Sequence, residues 1–338
     1  MRAAVLTAPR AIEVRDVPEP THDDALVRTR WVGVCGTDLS IYAGKIPVAY
    51  PRVLGHELCA EVIDPGDVGR ERGIAPGMRV VVDPNVFCGR CDRCLEGRAN
   101  LCANGTLLGR DADGALSSLL AAPARNLYRV PDALPDEAVP LIQVLTTCTH
   151  AQRRIAIFPG DTVVVLGLGV TGLLHVQLAA LRGASVIGVT RSADKRALAA
   201  RLGAGLTVDA TAPDAVDLVK DATGGVGPDV VIECAGYVET LARAVELARS
   251  GGRILAYGTI AQREGDFPYY QLYYKELDIV NARAAQAEDY PVAIGAIEAG
   301  RVDLSALVTH RFDLDDVATA IETAGDPSSL KVVVRTGD

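Results

Sequence analysis

The chain has 338 residues, 49% of them hydrophobic, which is enough to bury two substantial cores. Its formal net charge is −9, which argues against a general nucleic-acid binder, because phosphate contacts need clustered Lys and Arg. No apolar run reaches the length of a membrane span.

The opening stretch, "MRAAVLTAPRAIEVRDVPEP", alternates polar and apolar residues and soon meets prolines. It reads as a strand and a turn, not as a signal peptide. A cytoplasmic location is therefore expected, where reducing conditions keep thiols free for metal. Further on, "ALVRTRWVGV", "AEVIDPG" and "RVVVDP" read as strands ended by Gly or Pro. Among them lie "GVCGTDLSIY" and "YPRVLGHELCAEV", which contribute Cys35, His56 and Glu57. A lone Cys or His is most often an ordinary core or surface residue. Together the three offer a thiolate, an imidazole and a carboxylate, a set that suits zinc with a vacant position. Asp38 could hold the second nitrogen of His56. Spacing alone leaves both readings open.

"FCGRCDRCLEGRANLC" follows, with Cys88, Cys91, Cys94 and Cys102 in the spacing C-x2-C-x2-C-x7-C. Disulfides do not suit a large cytoplasmic chain. An iron–sulfur site with these first spacings would usually continue with x3 and Cys-Pro, absent here. A closed four-thiolate zinc site is expected, and such a site supplies folding energy and not turnover.

"LPDEAVPLIQVLTTCTHAQRR" suits a helix. From residue 160 to 282, apolar runs alternate with helical stretches: "TVVVLGLG", "ASVIGVT", "DVVIECAG", "GRILAYGT" and "LDIVNAR". That is the rhythm of a parallel sheet with crossover helices. "VVVLGLGVTGLL" places Gly167, Gly169 and Gly172 as G-x-G-x-x-G after a strand and at the opening of a helix, with Val170 and Thr171 inside the turn. This context fits a dinucleotide pyrophosphate at a helix N-terminus. The next strand ends in Thr190, Arg191 and Ser192, with Lys195 and Arg196 one turn on, and no carboxylate stands there to meet a ribose 2′-hydroxyl. NADP(H) is therefore expected over NAD(H), with Arg191 pairing a 2′-phosphate. The closing "SLKVVVRT" reads as a strand returning to the first domain.

"GVCGTD", "VLGHE", the four-cysteine lobe and "VVVLGLGVTGLL" together resemble the zinc-dependent medium-chain dehydrogenases/reductases, in their polyol, sorbitol-like, threonine and sugar dehydrogenase branch. "KELDIVNAR" and "VDLSALVTHRFDLDDVATAIE" extend the likeness over nearly the whole chain. The resemblance implies an α/β protein with a chaperonin-10-like β-rich catalytic domain, residues 1–143 and 284–338, and a Rossmann doubly wound parallel-sheet cofactor domain, residues 144–283. It implies two zinc ions per chain: a structural one on the four-cysteine lobe and a catalytic one on Cys35 and His56, with Glu57 a ligand or a close swing-in partner. Gln143 stands where many polyol dehydrogenases have a glutamate, so it is expected to reach the metal directly, or through water, or to touch only substrate. Thr37 would hydrogen-bond the substrate oxygen. Ser40 stands where alcohol dehydrogenases often have histidine, so the outer proton relay would run through a hydroxyl, with Tyr42 or water completing it. Lys331 resembles a basic position near the cofactor pyrophosphate, and "ECAG" and "YGTI" resemble cofactor loops.

The function implied is a zinc-dependent, NAD(P)-linked interconversion of a secondary alcohol and a ketone on a polyol, sugar, cyclitol or related small polar substrate. A simple alcohol or threonine-type dehydrogenase is the alternative among enzymes, and a catalytically silent cofactor-binding regulator the alternative of another class. No nucleic-acid or membrane partner is expected, and a homodimer or homotetramer is. Cys59, Cys148 and Cys234 read as packed thiols, and His150 and His175 as structural.

Overall fold

A computed structural model describes all residues except 23, 263 and 338. The chain divides into two compact units. The first comprises Met1–Thr146, Gln286–Glu298 and Asp303–Asp338, and the second Thr147–Ala285 and Ala299–Val302.

The first unit is β-rich. Its elements in order are β1 (Arg2–Ala8), β2 (Ala11–Asp16), β3 (Ala25–Gly33), α1 (Gly36–Tyr42), β4 (Arg52–Val53), β5 (Glu57–Asp64), α2 (Gly66–Glu71), β6 (Arg79–Val82), β7 (Asn85–Val86), α3 (Asp92–Leu95), β8 (Thr106–Leu107), β9 (Leu119–Ala122) and β10 (Leu127–Arg129). The chain leaves it along α4 (Pro140–Arg154). The three strand segments read from sequence lie in β3, β5 and β6, which form consecutive antiparallel pairs. Along β3, residues such as Ala25, Val27 and Thr29 are buried while Arg28 is exposed, the alternation of a strand with one covered face.

The second unit holds β11 (Thr162–Leu166), α5 (Val170–Leu181), β12 (Ser185–Thr190), α6 (Ala193–Arg201), β13 (Leu206–Asp209), α7 (Ala215–Asp221), β14 (Val230–Glu233), α8 (Val238–Leu247), β15 (Arg253–Ala256), α9 (Tyr269–Tyr274) and β16 (Asp278–Asn281). Its six strands run parallel in the order β13-β12-β11-β14-β15-β16. This is the doubly wound order, whose ligand crevice opens where strand order reverses. β11 and β14 are apolar along most of their length and buried, as strands covered on both faces must be. β13 ("LTVD") has no counterpart among the strands read from sequence. It is short and mostly half-covered, so it carries neither alternation nor an apolar run.

The chain then adds α10 (Asp289–Glu298), β17 (Val308–Asp313), α11 (Val317–Ala324) and β18 (Lys331–Arg335) to the first unit. β18 lies between β3 and β17, so the closing apolar run does enter the first unit's sheet. The core there draws on distant segments: Val5, Leu58, Val82, Ile321 and Val334 share one apolar cluster. Among the described residues, no helix is long and apolar enough to cross a membrane.

Candidate metal centre and cofactor cavity

Cys35 is the N-cap of α1 and has an extended backbone. Its N–H donates to Asp38 Oδ2 at 2.9 Å, so the first turn of the helix fixes Asp38 beneath the thiol. His56 and Glu57 stand at the entry of β5, all but fully buried. One ligand atom each from Cys35, His56 and Glu57 lies within 4.8 Å of the others. Gly33 makes room for this arrangement, because a Cβ there would stand 2.5 Å from Glu57 Oε2.

The electrostatics favour a cation. Burial alone would push Asp38 upward, but the His56 charge and the N–H groups of Cys35 and Gly55 outweigh it and hold its pKa below the ordinary carboxylate range. Burial would likewise lower His56, yet Asp38 and then Cys35 raise it well above the ordinary imidazole range. The Asp38 Oδ1 to His56 Nδ1 separation is 3.6 Å, an electrostatic contact and not a hydrogen bond. Buried Nδ1 otherwise has no hydrogen-bond partner. A thiolate, an imidazole backed by a carboxylate and a second carboxylate therefore converge, and this donor set fits zinc.

Lys331 is the charge partner of Glu57. Expected beside the pyrophosphate, its ammonium is buried in the first unit, 2.5 Å from Glu57 Oε2 and 3.1 Å from the Val34 carbonyl. Burial acts to lower it, but Glu57 and then Cys35 prevail and raise it above the ordinary lysine range. The physical reason is plain: a buried carboxylate at Glu57 needs a compensating charge. No local pattern announces the pair, since its members stand 274 residues apart.

Gln143 is buried on α4, one turn after Pro140, whose ring packs on Gly33 beside Glu57. Residues three apart share a helix face, and Gln143 shares that of Pro140. Thr37 and Ser40 share one face of α1 in the same way, and both are half-buried.

The four-cysteine lobe is drawn together as its spacing implies. Cys102 Sγ lies 3.5 Å from Cys88 and 3.7 Å from Cys91, and Cys91 lies 3.6 Å from Cys94. Disulfide sulfurs would be about 2.05 Å apart. Zinc–sulfur bonds of about 2.3 Å give tetrahedral edges of about 3.8 Å, so the four thiols fit one zinc. Backbone N–H groups of Arg90 and Cys91 help bring the Cys88 thiol down to about 6.

In the second unit the glycine turn is tightly closed. Gly167 has φ +90°, and a Cβ on Gly172 would stand 1.9 Å from the Gly167 carbonyl. Gly169 caps α5, with Val170 and Thr171 in its first turn. A cavity of about 620 Å³ opens beside this turn, lined by Gly167, Gly169, Thr190, Arg191, Lys195 and Ala235 among others. Ser192 caps α6 and accepts from the Lys195 N–H at 3.4 Å. The turn and the cavity fit a dinucleotide.

Sequence reasoning missed Tyr237, Glu239, Thr240 and Arg243, which α8 and its approach bring to the same cavity. Their signal was only position, just beyond the end of β14. Glu233 serves the loop itself: its Oε1 accepts from the N–H groups of Ala235 and Gly236, both at 2.8 Å, and from Thr240 Oγ1 at 2.7 Å. Tyr257 shares a hydrogen bond of 2.8 Å with Thr147 and packs edge-on against His175. His175 is fully buried against Gln152, and burial lowers its pKa to about 3. Cys59 and Cys148 are buried thiols, while Cys234 lines the cavity.

Two family descriptions match the chain: "Alcohol dehydrogenase GroES-like domain" over residues 21–132 and "Zinc-binding dehydrogenase" over residues 170–299. A sorbitol dehydrogenase of Halalkalibacterium halodurans is 31% identical, over 96% of this chain and 95% of that protein. An L-galactonate-5-dehydrogenase of Escherichia coli K12 is 33% identical, over 91% of this chain and 90% of its own. Among solved structures, a zinc-binding dehydrogenase of Sinorhizobium meliloti 1021 bound to NADP superposes with TM-score 0.92 at 36% identity, covering 99% of this chain and 98% of that one.

Proposed function

Because the chain belongs to the zinc-binding dehydrogenases with a GroES-like domain, we propose that it oxidises a secondary hydroxyl of a polyol, sugar or sugar acid to the ketone, or reduces that ketone, with NADP(H) preferred and two zinc ions per chain. It is an oxidoreductase of the CH–OH group. The observation that carries the reading is the convergence of Cys35, His56 and Glu57 within 4.8 Å.

Zinc at this site supplies Lewis-acid polarisation of the reacting oxygen, and the nicotinamide supplies or takes the hydride. Cys35 and His56 would hold the metal, and Asp38 orients His56. Glu57, balanced by Lys331, would hold or approach it, and Gln143 would reach it directly or through water. Thr37 would hold the proton on the substrate oxygen and pass it to Ser40, with solvent beyond. Cys88, Cys91, Cys94 and Cys102 would hold the structural zinc. Gly167, Gly169, Val170, Thr171 and Gly172 would cradle the pyrophosphate, while Thr190, Arg191, Ser192 and Lys195 would meet the adenosine side. The sugar and sugar-acid dehydrogenases among the relatives support the substrate class, and the NADP-bound neighbour supports the cofactor preference.

Eight unpaired cysteines suit a reducing compartment such as the cytoplasm. A second copy of the chain is the partner we propose, seated on the edge strand β16 and on α9, whose Tyr269, Tyr270, Tyr273 and Tyr274 are 72–81% exposed.

The deciding experiment follows nicotinamide absorbance over a panel of polyols, sugar acids, cyclitols and their ketones with NADP and NAD, alongside metal analysis. Turnover of a polyol or sugar acid, two zinc per chain and a loss of at least about a thousandfold in Cys35→Ser, which should keep one zinc, are expected. Wild-type rates in Cys35→Ser would overturn the catalytic assignment.

A further inference from the structure

The end of β12 meets the adenosine ribose in a sheet of this order. Its neighbour β13 runs parallel, with Thr190 paired in register to Asp209. An acid absent from the end of β12 is thus present one strand over, and the next residue, Ala210, lines the cavity with Thr190, Arg191 and Lys195. Unbalanced, that carboxylate would repel a phosphate on the ribose.

It is balanced on both oxygens. Asp209 Oδ1 accepts from the Thr211 N–H at 2.9 Å and from Thr211 Oγ1 at 2.7 Å. Oδ2 pairs with Arg196 Nη2 at 2.9 Å. The same guanidinium turns its Nη1 to the carbonyls of Thr190 and Arg191, each at 2.9 Å. One side chain therefore neutralises the acid of β13 and clamps the turn that presents Arg191. Lysine has no planar fork and cannot do both.

We propose that Arg196 is a positioning residue for cofactor choice: it screens Asp209 from the 2′-phosphate of NADP and fixes the Thr190–Arg191 turn on which that phosphate would be received. This rests on the NADP reading above. Arg191 and Lys195 would make the direct contacts, and Arg196 acts through them without touching the cofactor.

The test is calorimetric titration of the zinc-loaded protein with NADP+ and with NAD+, taking the ratio of the two dissociation constants on each variant. Wild type should favour NADP+. Arg196→Met should move the ratio toward NAD+ by about tenfold, because only the phosphate-bearing cofactor senses the released acid. Adding Asp209→Asn to Arg196→Met should recover most of that ratio, and Arg196→Lys only part. If Arg196 were merely structural, both affinities would fall together at constant ratio, and that result overturns the proposal while the cofactor reading stands. A wild-type preference for NAD+ overturns the cofactor reading and the proposal with it.

Discussion

Glu57 and Lys331 show how much one pair can decide. Both are nearly inaccessible, at 2% and 6% side-chain exposure. Removing one partner of such a pair leaves an uncompensated buried charge, a cost of about 3–5 kcal/mol, whereas removing both charges can be close to neutral. Lys331→Met should therefore lower the urea unfolding free energy by about that amount, and Glu57→Gln in the same chain should restore most of it. A single variant as stable as wild type would show that Glu57 finds another partner. At this scale the sequence was legible where chemistry is intrinsic to residue type. The four lobe cysteines stand out by their spacing, because few other residues bind zinc, whereas Cys35 and His56 are singled out only by the family resemblance. Lys331 and Arg196 were in view but their partners were not, since a lysine or arginine has countless uses and only the folded sheet brings Glu57 and Asp209 to them.

Among elements, the junction of β6, β7 and α10 holds a carboxylate in an uncomfortable place. Asp83 stands between β6 and β7, with Tyr290 and Asp289 of α10 nearby and Tyr290 stacked 4.3 Å from Tyr128. Burial pushes Asp83 up to about 6, although hydrogen bonds from Asn85 oppose the shift and Asp289 adds to it. The folded form thus binds its proton more tightly than the unfolded chain, whose carboxyl titrates near about 3.9. This favourable contribution is complete below about pH 3.9 and is lost as the pH rises through about 6. Asp83→Asn should be more stable than wild type at pH 8 by about 1–3 kcal/mol, with about half of that gap left at pH 5 and none below about pH 3.9. Urea titrations at the two pH values measure it, and an equal gap at both would refute the assignment. The elements themselves were readable wherever burial imposed a pattern. The apolar run "TVVVL" and the glycine turn after it were plain, whereas "LTVD" and "VTHRFD" carry too little burial to mark β13 and β17.

For the whole molecule, the exposed edge is the feature with consequences. β16 is the last strand of the parallel sheet, pairs with β15 alone among the described strands, and leaves Ile279 39% exposed. An apolar open edge beside a tyrosine-rich helix is a liability unless covered. Ile279→Lys should halve the mass of the assembly measured by light scattering while the circular dichroism spectrum is retained, and an unchanged mass would place the subunit contact elsewhere. The insertion of β18 between β3 and β17 has a consequence in time as well as in space. At a synthesis rate of about 5–20 residues per second, the 274 residues separating Glu57 from Lys331 take about 14–55 s to translate. Through that interval β3 has no β18 beside it and Glu57 has no cation. The second unit, all of its chain lying between, can emerge and fold in the meantime. The pocket of Cys35, His56 and Glu57 is thus among the last parts of the molecule to be finished, although these three are among the first residues made.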